Sequence, residues 1–362
     1  MTNRERIVQT LLCGKTDRAP FGVGIGFSTW GETLKRWRSE SGIADLNPAE
    51  YFGYDKDFAV VPVEYGPCPH FEKRIISEDS EYIISYDYRG LTMRNRRDGG
   101  SMPDFLESPV KTWDDWKRYK AERLQPNLSE RLKNLDPFIA KIVNVDAPIQ
   151  LGVYPWGVFG TARDILGAEE FLIGFYTEPD LIHDIMETYT DLWLTIFQKV
   201  TEKIKVDHIH IWEDMSYKNG SLISVEMIEE FMMPQYDKIL AFAKMNDIAL
   251  VSVDSDGNVK SLLPVMHKHG INTFLPFEVQ AGNDIIEFRE QYPNLGIIGG
   301  LDKNVLMDTA PKDALHKELD RCELILSMGG YIPGFDHLIP PNVSWSKWCY
   351  FIGCIRKIIL QT

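Results

Sequence analysis

Little in this chain marks a secreted, membrane-bound or nucleic-acid-binding protein. Its five cysteines (Cys13, Cys68, Cys322, Cys349 and Cys354) are an odd number without Cys-x-x-Cys spacing. Neither a disulfide framework nor a zinc ribbon is written into it, and free thiols in a reducing cytoplasm are expected. No apolar run approaches the roughly 20 residues of a membrane span. The opening Met1-Thr2-Asn3-Arg4-Glu5-Arg6 lacks the apolar core of a signal peptide. Positive charge is scarce: 39 Lys and Arg stand against 53 Asp and Glu, a net charge of −14. Without a basic surplus, nothing offsets a phosphate backbone. Two local basic clusters, Lys35-Arg36-Trp37-Arg38 and Arg94-Asn95-Arg96-Arg97, read as solvated faces. A glycine-lysine loop is missing as well, so Gly299-Gly300 and Gly329-Gly330 are weak phosphate signals. There is no Gly/Ser linker, low-complexity tract or short repeat, and residues 1–362 read as one domain.

What is present is an alternation. Strand-like apolar runs occur at Phe21–Ile25, Ala59–Val63, Ile149–Tyr154, Val206–Trp212, Ala249–Val253, Thr273–Pro276, Gly296–Gly300 and Tyr331–Phe335. Helical periods separate the later ones. The clearest covers 181–200, where Leu181, Ile182, Ile185, Met186, Tyr189, Leu192, Trp193, Ile196, Phe197 and Val200 repeat at 3.6 residues. A second starts at Ser224 as N-cap and runs toward Ala243, with a bend expected at Pro234. Strand-then-helix repetition predicts parallel strands, and eight units predict an α/β fold of the (β/α)8 TIM-barrel type. Residues 71–96 break the rhythm with alternating residues and turns at Glu78-Asp79-Ser80 and Arg89-Gly90, and a helix is expected near Trp113–Leu124. Residues 66–140 therefore read as a β-rich excursion after the second strand.

Chemistry in such folds gathers at the carboxyl ends of the strands. Those ends carry Glu64, then Tyr154 and Trp156, Glu213 and Asp214, Asp254 and Asp256, Glu278, Asp302 and Lys303, and Asp336-His337. A single acid there often caps the next helix. So many together repel one another and need protons, a cation or a basic partner; Lys303 and His337 are the nearest candidates. His208, His210, Trp212 and Asp214 alternate, so they share one side of a strand, and either histidine is a candidate base, ligand or satisfied interior residue. His267 and His269 read as surface residues.

Several stretches together resemble the uroporphyrinogen decarboxylase family, which also contains corrinoid-dependent methyltransferases. They are TNRERIVQTLLCGKTDRAPFGV at the start, IWEDMSYKNGSLISVEMIEEFMMPQY at 211–236, VDSDGNV, LPFEVQAGND at 275–284, IGGLDK at 298–303 and GGYIPGFDHLIPPNVSW at 329–345. The resemblance implies a (β/α)8 barrel. In the decarboxylases an arginine-rich stretch after the first strand binds substrate carboxylates, and an aspartate after the second is catalytic. Here Gly24–Trp30 holds no arginine, and Glu64 stands in the second place. In the methyltransferase branch strand five ends in His-x-Cys-Gly-Asn, and a later cysteine completes a zinc site. The matching frame here is Asp254-Ser255-Asp256-Gly257-Asn258, with the third position at His337. The resemblance thus implies Asp254, Asp256 and His337 as holders of a divalent metal, zinc or a harder ion, or of the reacting group. Glu213, Asp214, Glu278 and Glu64 are the expected acids. Trp30, Tyr154 and Trp156 are expected to wall the pocket, with Arg163, His210 and Lys303 binding substrate. The leading expectation is corrinoid-linked methyl transfer between a small methylated substrate or acceptor and a cobalamin-carrying partner protein. The alternatives are cofactor-free decarboxylation of a tetrapyrrole or smaller acid, glycoside hydrolysis by paired carboxylates, and a non-catalytic corrinoid- or tetrapyrrole-binding module. A homodimer is compatible with all of them.

Overall fold

The structure is a computed structural model that describes residues 1–98 and 102–361. Along the chain the strands are β1 (Ala59–Val60), β2 (Arg74–Glu78), β3 (Tyr82–Tyr86), β4 (Thr92–Arg96), β5 (Asp104–Glu107), β6 (Ile149–Leu151), β7 (His208–Trp212), β8 (Ser216–Tyr217), β9 (Gly220–Ser221), β10 (Leu250–Asp254), β11 (Thr273–Leu275), β12 (Gly296–Ile298) and β13 (Tyr331–Ile332). Seven form one parallel sheet in the order β1-β6-β7-β10-β11-β12-β13. They are short, mostly apolar runs, as suits a parallel sheet whose outer face is covered by helices. The 181–200 period forms the helix Pro179–Thr201, whose apolar stripe is buried against the sheet. The helix expected from Ser224 is capped there, passes through a π-helical turn at Ile228–Met232 and continues as Met233–Met245. The wide turn lies just ahead of Pro234, which has no N–H to give to the carbonyl four residues back.

The first expected strand, Phe21–Ile25, is not a strand. Gly22 and Gly24 take φ of +76° and +87°, and the Gly24 N–H donates to the Asp57 carboxylate at 3.0 Å instead of joining a ladder. Left-handed backbone breaks the extended run that the apolar pattern suggested. Beyond it, Thr29 makes a single parallel bridge to Ile339.

Between β1 and β6 the chain forms an antiparallel sheet, β2-β3-β4-β5. Its β3–β4 turn is tied to the main body by Arg89, which donates to Asp87 and to Asp164 at 2.8 Å each. At the opposite end of the parallel sheet, the helix Asn3–Leu11 closes the bottom. Its Ile7 and Leu11 pack with Val23, Leu250, Ile298 and Ile332. The carboxyl ends of the strands are left as the open face.

Candidate active site

Strands β7 and β10 set the centre of that face. Their parallel register pairs Leu250 with His208, Ser252 with His210 and Asp254 with Trp212. Alternation then points His208, His210, Ser252 and Asp254 inward, at successive heights. Asp254 is the last residue of β10 and lies deep in the molecule, yet its side chain keeps 17% of its surface open. It forms the floor of a recess. Burial, Asp256 and Asp214 together raise its carboxyl well above the usual range.

Asp214 follows β7 with φ of +44°, a left-handed turn that brings it over the strand ends. Burial is the main cause that lifts its carboxyl to about 6; Arg163 opposes, while Asp256 and Glu278 reinforce the rise. Arg163 lies 3.7 Å from the Asp214 carboxylate, donates to its carbonyl at 2.5 Å, and rests its guanidinium 5.3 Å from the centre of the Trp212 ring. Asp256 sits on the loop after β10. That loop turns at Gly257, where φ is +80° and a Cβ would lie 2.3 Å from the Ser216 carbonyl oxygen. The Glu278 carboxylate accepts the Gly257 N–H at 2.9 Å and lies 4.0 Å from Lys303. Burial and then Asp256 raise Glu278, against Lys303 and His337. His337 faces Asp256 at 3.6 Å. Burial works against its charging, but Asp256 outweighs burial and its pKa is raised. Trp30 stacks on His337 at 6.1 Å, and Tyr154 meets Trp212 edge-on at 4.7 Å.

The structure therefore gathers Asp214, Asp254, Asp256, Glu278, His210, His337, Arg163 and Lys303 around one recess, with Trp30 and Tyr154 at its sides. Three expected residues lie elsewhere. Glu213 is fully buried, and its carboxylate accepts from the N–H groups of Val158, Phe159 and Gly160 and from the Tyr236 hydroxyl, at 2.5–3.0 Å. It anchors the start of the helix Val158–Leu166. Trp156 faces the helical layer, against Gly66 and 6.3 Å from Tyr189, and does not wall the recess. Glu64 hydrogen-bonds His70 at 2.5 Å and lines a separate cavity of about 570 Å³ with Cys68, Asn127 and Arg131.

The metal set drawn from Asp254, Asp256 and His337 is not assembled. Among the described residues no three His, Cys, Asp or Glu side chains converge as a ligating group. Asp256 looks to His337, while Asp254 looks to His210 at 3.7 Å. The five free cysteines supply no sulfur to the recess; Cys68, for one, lies beside Asn127.

Sequence reasoning missed the residues that hold this arrangement. Asp336 is fully buried and takes both the Lys303 ammonium at 3.2 Å and the Val279 N–H at 2.9 Å. Its one signal was its place beside His337 after the last strand. Asn283 binds the Val259 N–H and the carbonyls of Gly257 and Glu278, joining the two acidic loops. Nothing local announces that role.

Comparison with known proteins adds three findings. Residues 84–358 match the family model described as uroporphyrinogen decarboxylase (URO-D). The chain is similar in structure to a methyltransferase from Methanosarcina mazei, with a TM-score of 0.58 and 17% identity over 99% of each chain. No curated protein matches it.

Proposed function

The chain belongs to the uroporphyrinogen decarboxylase family, and from that premise we propose that it transfers a methyl group from a small neutral or cationic methylated compound to a corrinoid carried by a partner protein. The observation that carries this reading is the imbalance of the recess: four carboxyl groups, Asp214, Asp254, Asp256 and Glu278, face two full cations, Arg163 and Lys303. Such a wall repels a substrate rich in carboxylates and suits one whose departing heteroatom needs a proton.

The reduced corrinoid would supply the electron pair that takes the methyl group. This chain's part is to bind, orient and protonate. Trp30, Tyr154 and Trp212 offer aromatic faces to a methylated head. Asp254, held neutral by burial and by neighbouring carboxyls, gives its proton to the oxygen or nitrogen as the carbon–heteroatom bond breaks. The bonding pair stays on the heteroatom, and a carboxylate is left behind. Arg163 and Lys303 steady the acids that are already charged. The donor set does not fit a bound metal, so no step is assigned to one. We also read the fold as a (β/α)8 barrel whose eighth wall is the 21–30 segment, supported by Gly26 packed against the Phe335 backbone and by the Thr29–Ile339 bridge.

The second reading, cofactor-free decarboxylation of a small acid, is favoured by the presence of two cations, Arg163 and Lys303, either of which can pair with a substrate carboxylate. The test is to incubate the protein with reduced cobalamin and a panel of methyl ethers and methylamines while following the visible spectrum. Formation of methylcobalamin, lost in Asp254→Asn, supports methyl transfer. No spectral change, together with carbon dioxide release from an offered acid, replaces it with decarboxylation.

A further inference from the structure

Beneath Asp254 runs a chain of polar side chains that neither the family match nor the proposed reaction assigns. Gln150 on β6, His208 and His210 on β7 and Ser252 on β10 are linked in series inside the parallel sheet. The Gln150 amide nitrogen lies 2.9 Å from the Gly152 carbonyl, its oxygen 3.1 Å from His208 Nδ1. His208 Nε2 lies 2.7 Å from Ser252 Oγ, which lies 3.0 Å from His210 Nδ1. His210 Nε2 then faces the Asp254 carboxyl at 3.7 Å.

With both buried rings neutral, the hydrogens along this chain follow from the partners. The Gly152 carbonyl only accepts, so the Gln150 amide must donate to it and turn its oxygen toward His208. That oxygen only accepts, so His208 Nδ1 carries a hydrogen. His208 is buried with no carboxylate touching it, so it is neutral and its Nε2 is a bare acceptor. Ser252 has one hydrogen and gives it to that nitrogen. Its oxygen can then only accept, so His210 Nδ1 also carries a hydrogen. His210, itself desolvated, is left with a lone pair on Nε2 aimed at Asp254. Among the described residues no donor gives the Asp254 carboxyl a hydrogen bond, and Asp214, from the loop after β7, and Asp256, from its own loop, face it.

We propose that Gln150, His208 and Ser252 are positioning residues that fix His210 as an Nε2 acceptor and thereby hold Asp254 as a neutral, proton-carrying acid. A carboxylate there would meet a lone pair below and two acids above, with nothing to balance it. The position that a metal-ligating histidine fills in the methyltransferase branch would then serve here as a proton donor. The proton assignment stands independently of the reaction; its use on a leaving group rests on the proposed methyl transfer.

The test reads protons directly and needs no turnover. In protein with ¹⁵N-labelled histidine, long-range ¹H–¹⁵N correlation should show His208 and His210 both neutral at pH 7 with hydrogen on Nδ1, the less common tautomer. Infrared difference spectra against Asp254→Asn should show a protonated carboxyl band. Gln150→Leu, which does not touch Asp254, frees His208 to reverse. Ser252 then turns, His210 gains hydrogen on Nε2, and the acid band should disappear. Ser252→Ala cuts the chain at nearly constant volume and should do the same, which keeps the test open if Gln150→Leu folds poorly. A charged His210, or a neutral His210 with hydrogen on Nε2 in the unaltered protein, would overturn the proposal. So would an acid band that survives both substitutions in folded protein.

Discussion

Glu213→Ala removes a buried carboxylate that accepts three backbone N–H groups and the Tyr236 hydroxyl. Removing one partner of a buried, hydrogen-bonded charge costs about 3–5 kcal/mol, and stranded donors add to it only in part because they share one cavity. We expect a loss of about 4 kcal/mol by that estimate. Glu213→Gln keeps the volume but sets an amide N–H against donors, for roughly 2 kcal/mol. The pH dependence supplies a second reading. Burial lifts the Glu213 carboxyl from 4.5 to about 7 in the folded protein, against the hydrogen bonds of Tyr236, Gly160, Phe159 and Val158. The folded state therefore holds this proton more tightly than the unfolded one. The stability that this provides is full below pH 4.5 and is lost as pH rises through about 7. At about 1.4 kcal/mol per pH unit the whole effect is of the order of 3 kcal/mol. Glutamine does not titrate, so the deficit of Glu213→Gln should be larger at pH 5 than at pH 8. Urea unfolding at the two pH values measures it. A Glu213→Ala protein that loses less than about 1 kcal/mol while losing all activity would refute the anchor and restore the catalytic role.

Other consequences are as direct. Gly257→Ala forces a side chain into φ of +80° and against the Ser216 carbonyl, and should lower stability by about 2 kcal/mol or more, seen as a fall in Tm. Asp256→Asn removes the carboxylate that raises His337, so the His337 pKa should fall in an NMR titration. The stability from that raised value is present below the unfolded histidine pKa and lost as pH rises through the folded one, so the variant should lose most near pH 5 to 6. Among the described residues, Arg89→Ala leaves the buried Asp164 with the more distant Arg163 at 3.5 Å as its one cation and frees the β3–β4 turn. Limited proteolysis should then cut within 74–107 earlier than in the unaltered protein; equal cutting rates would show that Arg89 does not hold the antiparallel sheet.

Much of the scaffold is legible along the chain because its signals are local. The β-branched runs at 206–212 and 249–253 become β7 and β10, and the 3.6 period at 181–200 becomes one long helix. Both follow from neighbouring residues sharing a face. The strand expected at 21–25 fails because apolar content does not reveal the left-handed turns at Gly22 and Gly24, and the Asp57 carboxylate that holds one of them comes from a distant segment.

The sequence by itself determined that acids crowd the ends of parallel strands, and that the Asp254-Ser255-Asp256-Gly257-Asn258 frame sits among them. Alternation also determined that His208 and His210 look the same way. Tertiary structure decided the partner of each group. It gave Glu213 to a helix start, Trp156 to the core and Glu64 to another cavity. It set Asp254 above a lone pair whose orientation is inherited from Gly152 through four side chains on three strands. Such assignments depend on hydrogen bonds between residues far apart in the chain, such as Gln150 with His208, 58 positions away, and His208 with Ser252, 44 positions away. No local pattern encodes them, because donor and acceptor meet only once the strands are in register.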